Sequence, residues 1–287
     1  MAVKQVGIVG CGQMGSGIAE VCARAGYIVV VSEADEALLK RGLASIEGSL
    51  ARAVSRGKMT EADKATTLKR ISGTTSVEGF KDCQLVIEAV VENMAEKRKV
   101  FAALDQACQK DAILASNTSC LSVTEMAVAT KRPDKVLGIH FFNPVPVMKP
   151  VELVRTILTS AETIATARDF SQSLGKSVVV SPDTPGFIVN RLLTPYLLDA
   201  VRLLESGTVS REDIDQAVTL GLNHPMGPLA LADLIGLDTL YSISTALYEE
   251  FKDPRYAAPP LLRRMVLARW LGRKTGKGFY DYPKVKA

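Results

Sequence analysis

Apolar positions in the first two-thirds of the chain fall into short runs bounded by glycine, proline or polar clusters. Runs at 3–9, 28–31, 71–74, 85–88, 113–116, 136–139, 151–154 and 177–180 have the length and β-branched content of buried strands. Between them apolar residues recur at helical spacing, first at Ile18, Val21, Cys22 and Ala25 with Gly26 as a stop. Further helical stretches cover 35–56, the segment after Thr60, 93–109 and 161–174. The stretch over 35–56 reads either as one long helix or as one broken at Gly42 or Gly48, and Thr60 is placed to cap the next one. Strands alternating with helices predict a mainly parallel sheet covered on both faces. The last strands, joined by short proline-containing connections, are expected to run antiparallel at one edge.

At Pro182-Asp183-Thr184-Pro185-Gly186 the strand pattern ends. Thr184 is placed to cap a helix whose first residue is Pro185. Residues 187–204 are apolar nearly all round, which predicts a helix buried or shared with another subunit, kinked at Pro195. Ser210 caps a further helix that Gly221 ends, and others are expected over 228–235, 238–251 and 260–271. His224 sits in a turn and reads as structural. The expected organisation is an α/β chain of two domains. Residues 1–184 form a doubly wound, mostly parallel sheet with an inserted helical pair, and 185–287 form an all-α domain.

The first strand runs straight into Gly10-Cys11-Gly12-Gln13-Met14-Gly15, then a helix, a second strand and an acid, Glu33, eighteen residues past Gly15. That order defines a Rossmann-type dinucleotide site. Gly10 permits the tight turn, Gly12 lets the backbone approach a pyrophosphate, and Gly15 packs helix on strand. The helix start at Gln13 and Met14 offers N–H groups to phosphate. Glu33 suits the adenosine ribose and repels a 2′-phosphate, with no Arg or Lys beside it, so the cofactor is predicted to be NAD rather than NADP. Three polar clusters follow strand ends: Glu92 with Lys97, the turn at Ser116-Asn117-Thr118-Ser119, and His140 with Asn143. In an open parallel sheet these converge on one crevice with the glycine loop.

Length and charge change this picture little. The chain has 287 residues, 47% hydrophobic and 23% charged, with a net charge of +4. Between Lys40 and Arg70, however, eight basic residues stand against three acidic ones, a local charge of +5. Such a run fits either a solvated helix face or an anchor for a polyanionic ligand. Five scattered cysteines without a CxxC pair argue against a disulfide framework and a metal site. The chain opens on a strand, and no apolar run approaches the ~18 residues of a membrane span. A cytoplasmic protein with neither nucleic-acid nor membrane partners is expected.

The segment 138–153 holds one of two histidines. Two short strands around its proline turn would set His140 opposite Glu152, the arrangement of a general base with an orienting carboxylate. A core histidine at a strand end and a solvated glutamate fit the same residues. Asn190, polar within an apolar helix, fits a site residue and a local cap equally well.

These segments resemble the monofunctional 3-hydroxyacyl-CoA dehydrogenases, and closely the bacterial 3-hydroxybutyryl-CoA dehydrogenases. The resemblance rests on GCGQMGSGIA at 10–19, EAVVENMAEK at 88–97, ASNTSCLS at 115–122, HFFNPVPVMKPVELV at 140–154, DTPGFIVNRLL at 183–193, HPMGPLALAD at 224–233 and GRKTGKGFYDY at 272–282. It implies NAD-dependent, reversible oxidation of a (3S)-3-hydroxyacyl-CoA, with a place in fatty-acid or butyrate metabolism. His140 matches the catalytic base, Glu152 its partner, and Ser119 and Asn190 the substrate-positioning residues. Glu92, Lys97, Asn117, Ser119, Asn143 and Lys274 match cofactor contacts. Ser49 and Arg56 fall where the family meets coenzyme A. The family commonly has lysine near Arg56 and aspartate at Glu33. The near-uniformly apolar helix over 187–204 is the basis for expecting a homodimer through the helical domain, which would close over the substrate. A dehydrogenase of a free hydroxy acid, such as a sugar acid, and a non-catalytic NAD-binding protein remain the alternatives.

Overall fold

The structure is a computed structural model that describes residues 3–283 and divides into two compact units, Met1–Thr184 and Pro185–Ala287. In the first unit the strands are β1 (Gln5–Val9), β2 (Ile28–Ser32), β3 (Ile71–Thr74), β4 (Leu85–Glu88), β5 (Ile113–Ser116), β6 (Val136–Phe141), β7 (Pro150–Arg155) and β8 (Ser177–Pro182). The helices around them are α1 (Gln13–Arg24), α2 (Glu36–Ser55), α3 (Glu61–Leu68), α4 (Met94–Ala107), α5 (Val123–Ala127) and α6 (Ala161–Ser173).

The strands form one sheet in the order β3-β2-β1-β4-β5-β6-β7-β8. Pairing is parallel from β3 through β6 and antiparallel between β6 and β7, with β8 parallel to β7. The predicted antiparallel edge is therefore present and consists of β7 and β8. Helices on both faces bury β4 and β5 along their whole length, which is why these strands read as unbroken apolar runs. The core comprises residues such as Val6, Ile8, Ile18, Val31, Leu85, Ile87 and Leu153.

Two local expectations need correction, and one alternative is decided. Helix α2 is continuous through Gly42 and Gly48. Gly42 is a close-approach residue: a Cβ there would stand 2.4 Å from the Cys11 sulfur. Thr184 does not cap a helix starting at Pro185. Gly186 (φ 74°) and Phe187 (φ 47°) are left-handed, so the helix starts at Val189. The final helix ends at Leu267 rather than 271, because Arg269 is also left-handed (φ 61°).

The second unit contains α7 (Val189–Glu205), α8 (Arg211–Gly221), α9 (Pro228–Ile235), α10 (Leu237–Phe251) and α11 (Pro260–Leu267). They enclose a core that includes Leu197, Leu198, Val201, Leu229, Leu237 and Leu262. Helix α7 continues through Pro195 and is apolar on two sides: Leu197, Leu198 and Val201 are buried, while Leu192 and Leu203 are exposed. Two carboxylates fasten this unit's C-terminal turn. Asp233 accepts from the Phe279 and Tyr280 amides and the Tyr282 hydroxyl, and Asp215 accepts from the Tyr280 hydroxyl and caps α9. Among the described residues no single helix is long and apolar enough to cross a membrane.

Candidate active site

The strand order reverses beside β1, which lies between β2 and β4. Ligands bind at such a switch point, beyond the carboxyl ends of the strands. The glycine loop follows β1 there, and its geometry matches what a pyrophosphate requires. Gly10 has φ 91°, and a Cβ on it would meet the Ala89 carbonyl at 2.7 Å. A Cβ on Gly15 would lie 1.8 Å from the Gly10 carbonyl oxygen, so only glycine lets α1 start here. A Cβ on Gly12 would meet nothing within 4 Å, so the loop backbone borders open space. Gly12 is the N-cap of α1 and has no capping side chain. The unbonded N–H groups at the start of α1, with the positive end of its dipole, therefore suit a phosphate.

Glu33 follows β2, and its Oε1 accepts a hydrogen bond from the Cys11 amide at 2.6 Å. The carboxylate is thereby tied to the glycine loop. A cleft of about 550 Å³ opens here, lined by Gly12, Gln13, Glu33, one face of α2 and the turn Asn143–Pro146. The loop, the acid and the cleft together fit NAD.

The first and second clusters meet in a buried network around Glu88, a residue to which the sequence analysis gave no role. Glu88 ends β4 at 0% exposure. Its carboxylate accepts from the Lys97 ammonium at 2.6 Å, the Ser116 hydroxyl at 2.7 Å and the Val90 amide at 2.7 Å. Lys97, also buried, pairs in addition with Glu92 at 3.1 Å. Its ammonium is thus enclosed by two carboxylates. Glu92 in turn accepts from the Thr118 hydroxyl at 2.5 Å and the Ser119 amide at 3.2 Å. Burial alone would raise the Glu92 carboxyl, but the Lys97 charge and the bonds from Thr118, Lys97 and Ser119 outweigh it and hold it below its ordinary value. Cys120 beside them is pushed up to about 12 by burial and by the Glu92 charge, which makes it an unreactive thiol. Asn117 continues the chain of contacts, since its Oδ1 accepts from the Phe141 amide at 2.9 Å. A carboxylate closing an otherwise apolar strand was the available signal for Glu88.

His140 and Glu152 are direct cross-strand partners in the antiparallel β6–β7 register. The His140 Nδ1 lies 2.8 Å from the Glu152 Oε2, with the histidine 5% and the glutamate 0% exposed. Phe142 stacks at a tilt on the imidazole, ring centroids 4.6 Å apart. Beyond His140 the chain turns through Asn143, which reaches the cleft lining.

On α2 the lining residues are Leu38, Arg41, Gly42, Ser45, Ile46, Ser49 and Arg52. Ser49 is thus in the cleft, whereas Arg56 is the C-cap of α2 and is not among the residues lining it. Arg41, Ser45, Ser49 and Arg52 share one helix face by their spacing, a pattern the charge count over 40–70 did not resolve. Asn190 lies in the first turn of α7, and Lys274 lies in a 3₁₀ turn with its ammonium on Asp238. Both belong to the second unit. No group of three or more His, Cys, Asp or Glu side chains among the described residues is arranged to hold a metal ion.

A doubly wound sheet with this loop and this acid defines an NAD-dependent dehydrogenase. Residues 5–184 match the model of the 3-hydroxyacyl-CoA dehydrogenase NAD-binding domain, and 186–282 match that of the 3-hydroxyacyl-CoA dehydrogenase C-terminal domain. A 3-hydroxybutyryl-CoA dehydrogenase of Mycobacterium tuberculosis is 54% identical over 283 residues, covering 98% of this chain and 99% of that protein. The human mitochondrial hydroxyacyl-coenzyme A dehydrogenase is 45% identical over 288 residues, covering 98% and 91%. The crystal structure of (S)-3-hydroxybutyryl-CoA dehydrogenase from Ralstonia eutropha superposes with a TM-score of 0.94 at 47% identity, covering 99% of this chain and all of that one. The chain belongs to the 3-hydroxyacyl-CoA dehydrogenase family.

Proposed function

We propose that this enzyme interconverts (3S)-3-hydroxyacyl-CoA and 3-ketoacyl-CoA, with the four-carbon 3-hydroxybutyryl and acetoacetyl esters as its substrates, and that His140 is its acid–base catalyst. The observation that carries the reading is the buried His140–Glu152 pair at 2.8 Å, on the strand that runs into the cleft-lining turn. NAD bound at the glycine loop supplies the hydride acceptor in oxidation and the donor in reduction. With Nδ1 committed to Glu152, Nε2 is the ring nitrogen assigned to proton transfer. It takes the C3 hydroxyl proton during oxidation and returns it during reduction. Glu152 fixes the tautomer and offsets the imidazolium charge. Ser119, held through the Glu92 and Thr118 contacts, is assigned to the C3 oxygen or thioester carbonyl. Asn190 and Lys274 enter this reading on their sequence motifs alone, as substrate-positioning and cofactor residues.

The face of α2 bearing Arg41, Ser49 and Arg52 supports a ligand with phosphates, and coenzyme A carries a diphosphate and a 3′-phosphate. This favours a CoA ester over a free hydroxy acid. Arg56, one step beyond the lining, is a weaker anchor in this reading than Arg52. The exposed Leu192 and Leu203, which share a face of α7, support a homodimer formed through the helical unit.

Initial rates with NADH and NADPH on acetoacetyl-CoA, longer 3-ketoacyl-CoA esters and free acetoacetate test the reading. Acetoacetyl-CoA with NADH is expected to be turned over fastest. A preference for the free acid or for NADPH would contradict it.

A further inference from the structure

Lys176 stands between Gly175 (φ 74°) and the start of β8 and is 9% exposed. Its ammonium donates to two backbone carbonyls, Val145 at 2.5 Å and Met148 at 2.7 Å. No carboxylate forms an ion pair with it among the described residues, unlike Lys97 with its two. A cation buried without a counter-ion is costly, so its retention calls for a reason. Burial lowers the Lys176 pKa from its ordinary value, with Cys22 and Arg24 acting in opposite senses.

The two carbonyls belong to the turn between β6 and β7. That turn uses the Pro144 carbonyl for its own Val147 and Met148 amides, both at 3.0 Å. The turn also packs on α1, where a Cβ on Gly17 would lie 3.0 Å from the Val145 Cβ. The Ser177 amide also bonds the Lys149 carbonyl at 2.9 Å, which joins the turn's end to β8. The turn is therefore held both by packing on the helix that starts at the dinucleotide loop and by one fixed ammonium. Its residues Asn143, Pro144, Val145 and Pro146 line the cleft, and His140 precedes them by three positions or more.

We propose that Lys176 is a positioning residue for the dehydrogenation site: its ammonium clamps the turn of residues 142–149 against α1 and so sets the place of Asn143 and the His140 end of β6. The proposal rests on the reading of His140 and Asn143 given above. Lys176 is not among the residues lining the cleft. It acts by holding two carbonyls from one point, which fixes the turn in two directions at once.

The test compares K176M, K176R and K176Q with the wild-type enzyme. Amide hydrogen exchange at Val147 and Met148, NADH affinity by fluorescence titration, and kcat and KM for acetoacetyl-CoA are measured. In K176M, exchange in the turn is expected to quicken at least about tenfold with other strands unchanged. NADH affinity is expected to fall, and kcat to drop by up to about 10²-fold, the effect of an ångström-scale misplacement. K176R, which keeps charged donors, is expected to recover most of each quantity. A purely structural lysine would quicken exchange throughout the unit and leave the kcat of the folded fraction alone. A folded K176M with turn exchange and kcat within about twofold of wild type would overturn the proposal. If K176M does not fold, K176Q carries the same two outcomes. Wild-type inactivity on acetoacetyl-CoA would instead overturn the functional reading, and the exchange and NADH measurements would then decide the clamp by themselves.

Discussion

The molecule has two histidines, one in each unit, and their surroundings are opposite. His140 lies inside the sheet, with its Nδ1 2.8 Å from a fully buried carboxylate. His224 lies in an exposed turn next to the left-handed Asn223, and its Nδ1 is 3.4 Å from the Tyr196 hydroxyl. That hydroxyl is neutral, and burial followed by the Asp215 charge raises its pKa further. A neutral phenol neither stabilises an imidazolium as a carboxylate does nor excludes water from it. The difference comes from register: antiparallel pairing sets residue 140 opposite residue 152, and the connecting turn holds that pairing. Under the proposed function, an acid–base histidine is made by its partner and its burial, not by residue type.

Several measurements would break or sharpen this contrast. Replacing His140 with Gln should lower kcat by about 10²–10⁴-fold while NADH binding persists, as expected for loss of a general acid–base. Steady-state kinetics with parallel titration check it. Glu152→Gln keeps the shape but removes the charge facing the imidazole, and kcat should fall by about 10², the low end of the same range. An E152Q enzyme of normal kcat would reduce Glu152 to packing. Charge reversal on α2 asks whether the first unit also supplies the substrate anchor. Arg52→Glu should raise KM for acetoacetyl-CoA about tenfold or more, and far more than KM for NADH, because a charge-assisted contact is worth about 1.5–3 kcal/mol. Arg56→Glu should do less, and equal effects would remove the distinction between cleft face and helix end.

The alkaline limb of stability separates the first unit's buried thiols from its ion pairs. Cys11, Cys83 and Cys120 are each pushed up to about 12 from 9.0, chiefly by burial. A raised folded pKa contributes stability that is complete below pH 9 and is lost as pH rises from 9 to about 12, since the unfolded chain sheds its protons first. Denaturant midpoints should therefore fall steeply over that window, and Cys83→Ala should make the slope shallower by about 1.4 kcal/mol per pH unit. At the small end, His224→Gln should leave kcat and KM within about twofold. A loss comparable to that of H140Q would cancel the contrast between the two histidines.

Much of this arrangement was legible in the amino-acid order. The eight strands lie where the apolar runs place them, and for β4, β5 and β6, buried along their whole length, the reason is that a sheet covered on both faces demands continuous apolar stretches. The glycine loop announced itself because each glycine answers a separate steric demand. What stayed hidden depends on three-dimensional contact. Gly42 was a candidate helix breaker, yet its missing side chain makes room for Cys11. Thr184 looked like a cap, but the backbone reverses at Gly186 and Phe187 first. Arg52 and Lys176 carry no local motif of their own, and Glu88 opens the 88–97 motif without showing its role; their meaning comes from a cleft, from two carbonyls, or from an ammonium and a hydroxyl brought from elsewhere in the chain.

The central claim is that Glu152 holds His140 in the tautomer a base at Nε2 requires. The ¹⁵N spectrum of the His140 ring, recorded with NAD bound at a pH where the imidazole is neutral, measures this directly. The account predicts a proton on Nδ1 shared with Glu152 and an unprotonated Nε2, with the pattern lost in E152Q. A ring protonated on Nε2, or one averaging between tautomers as His224 is expected to, would contradict it.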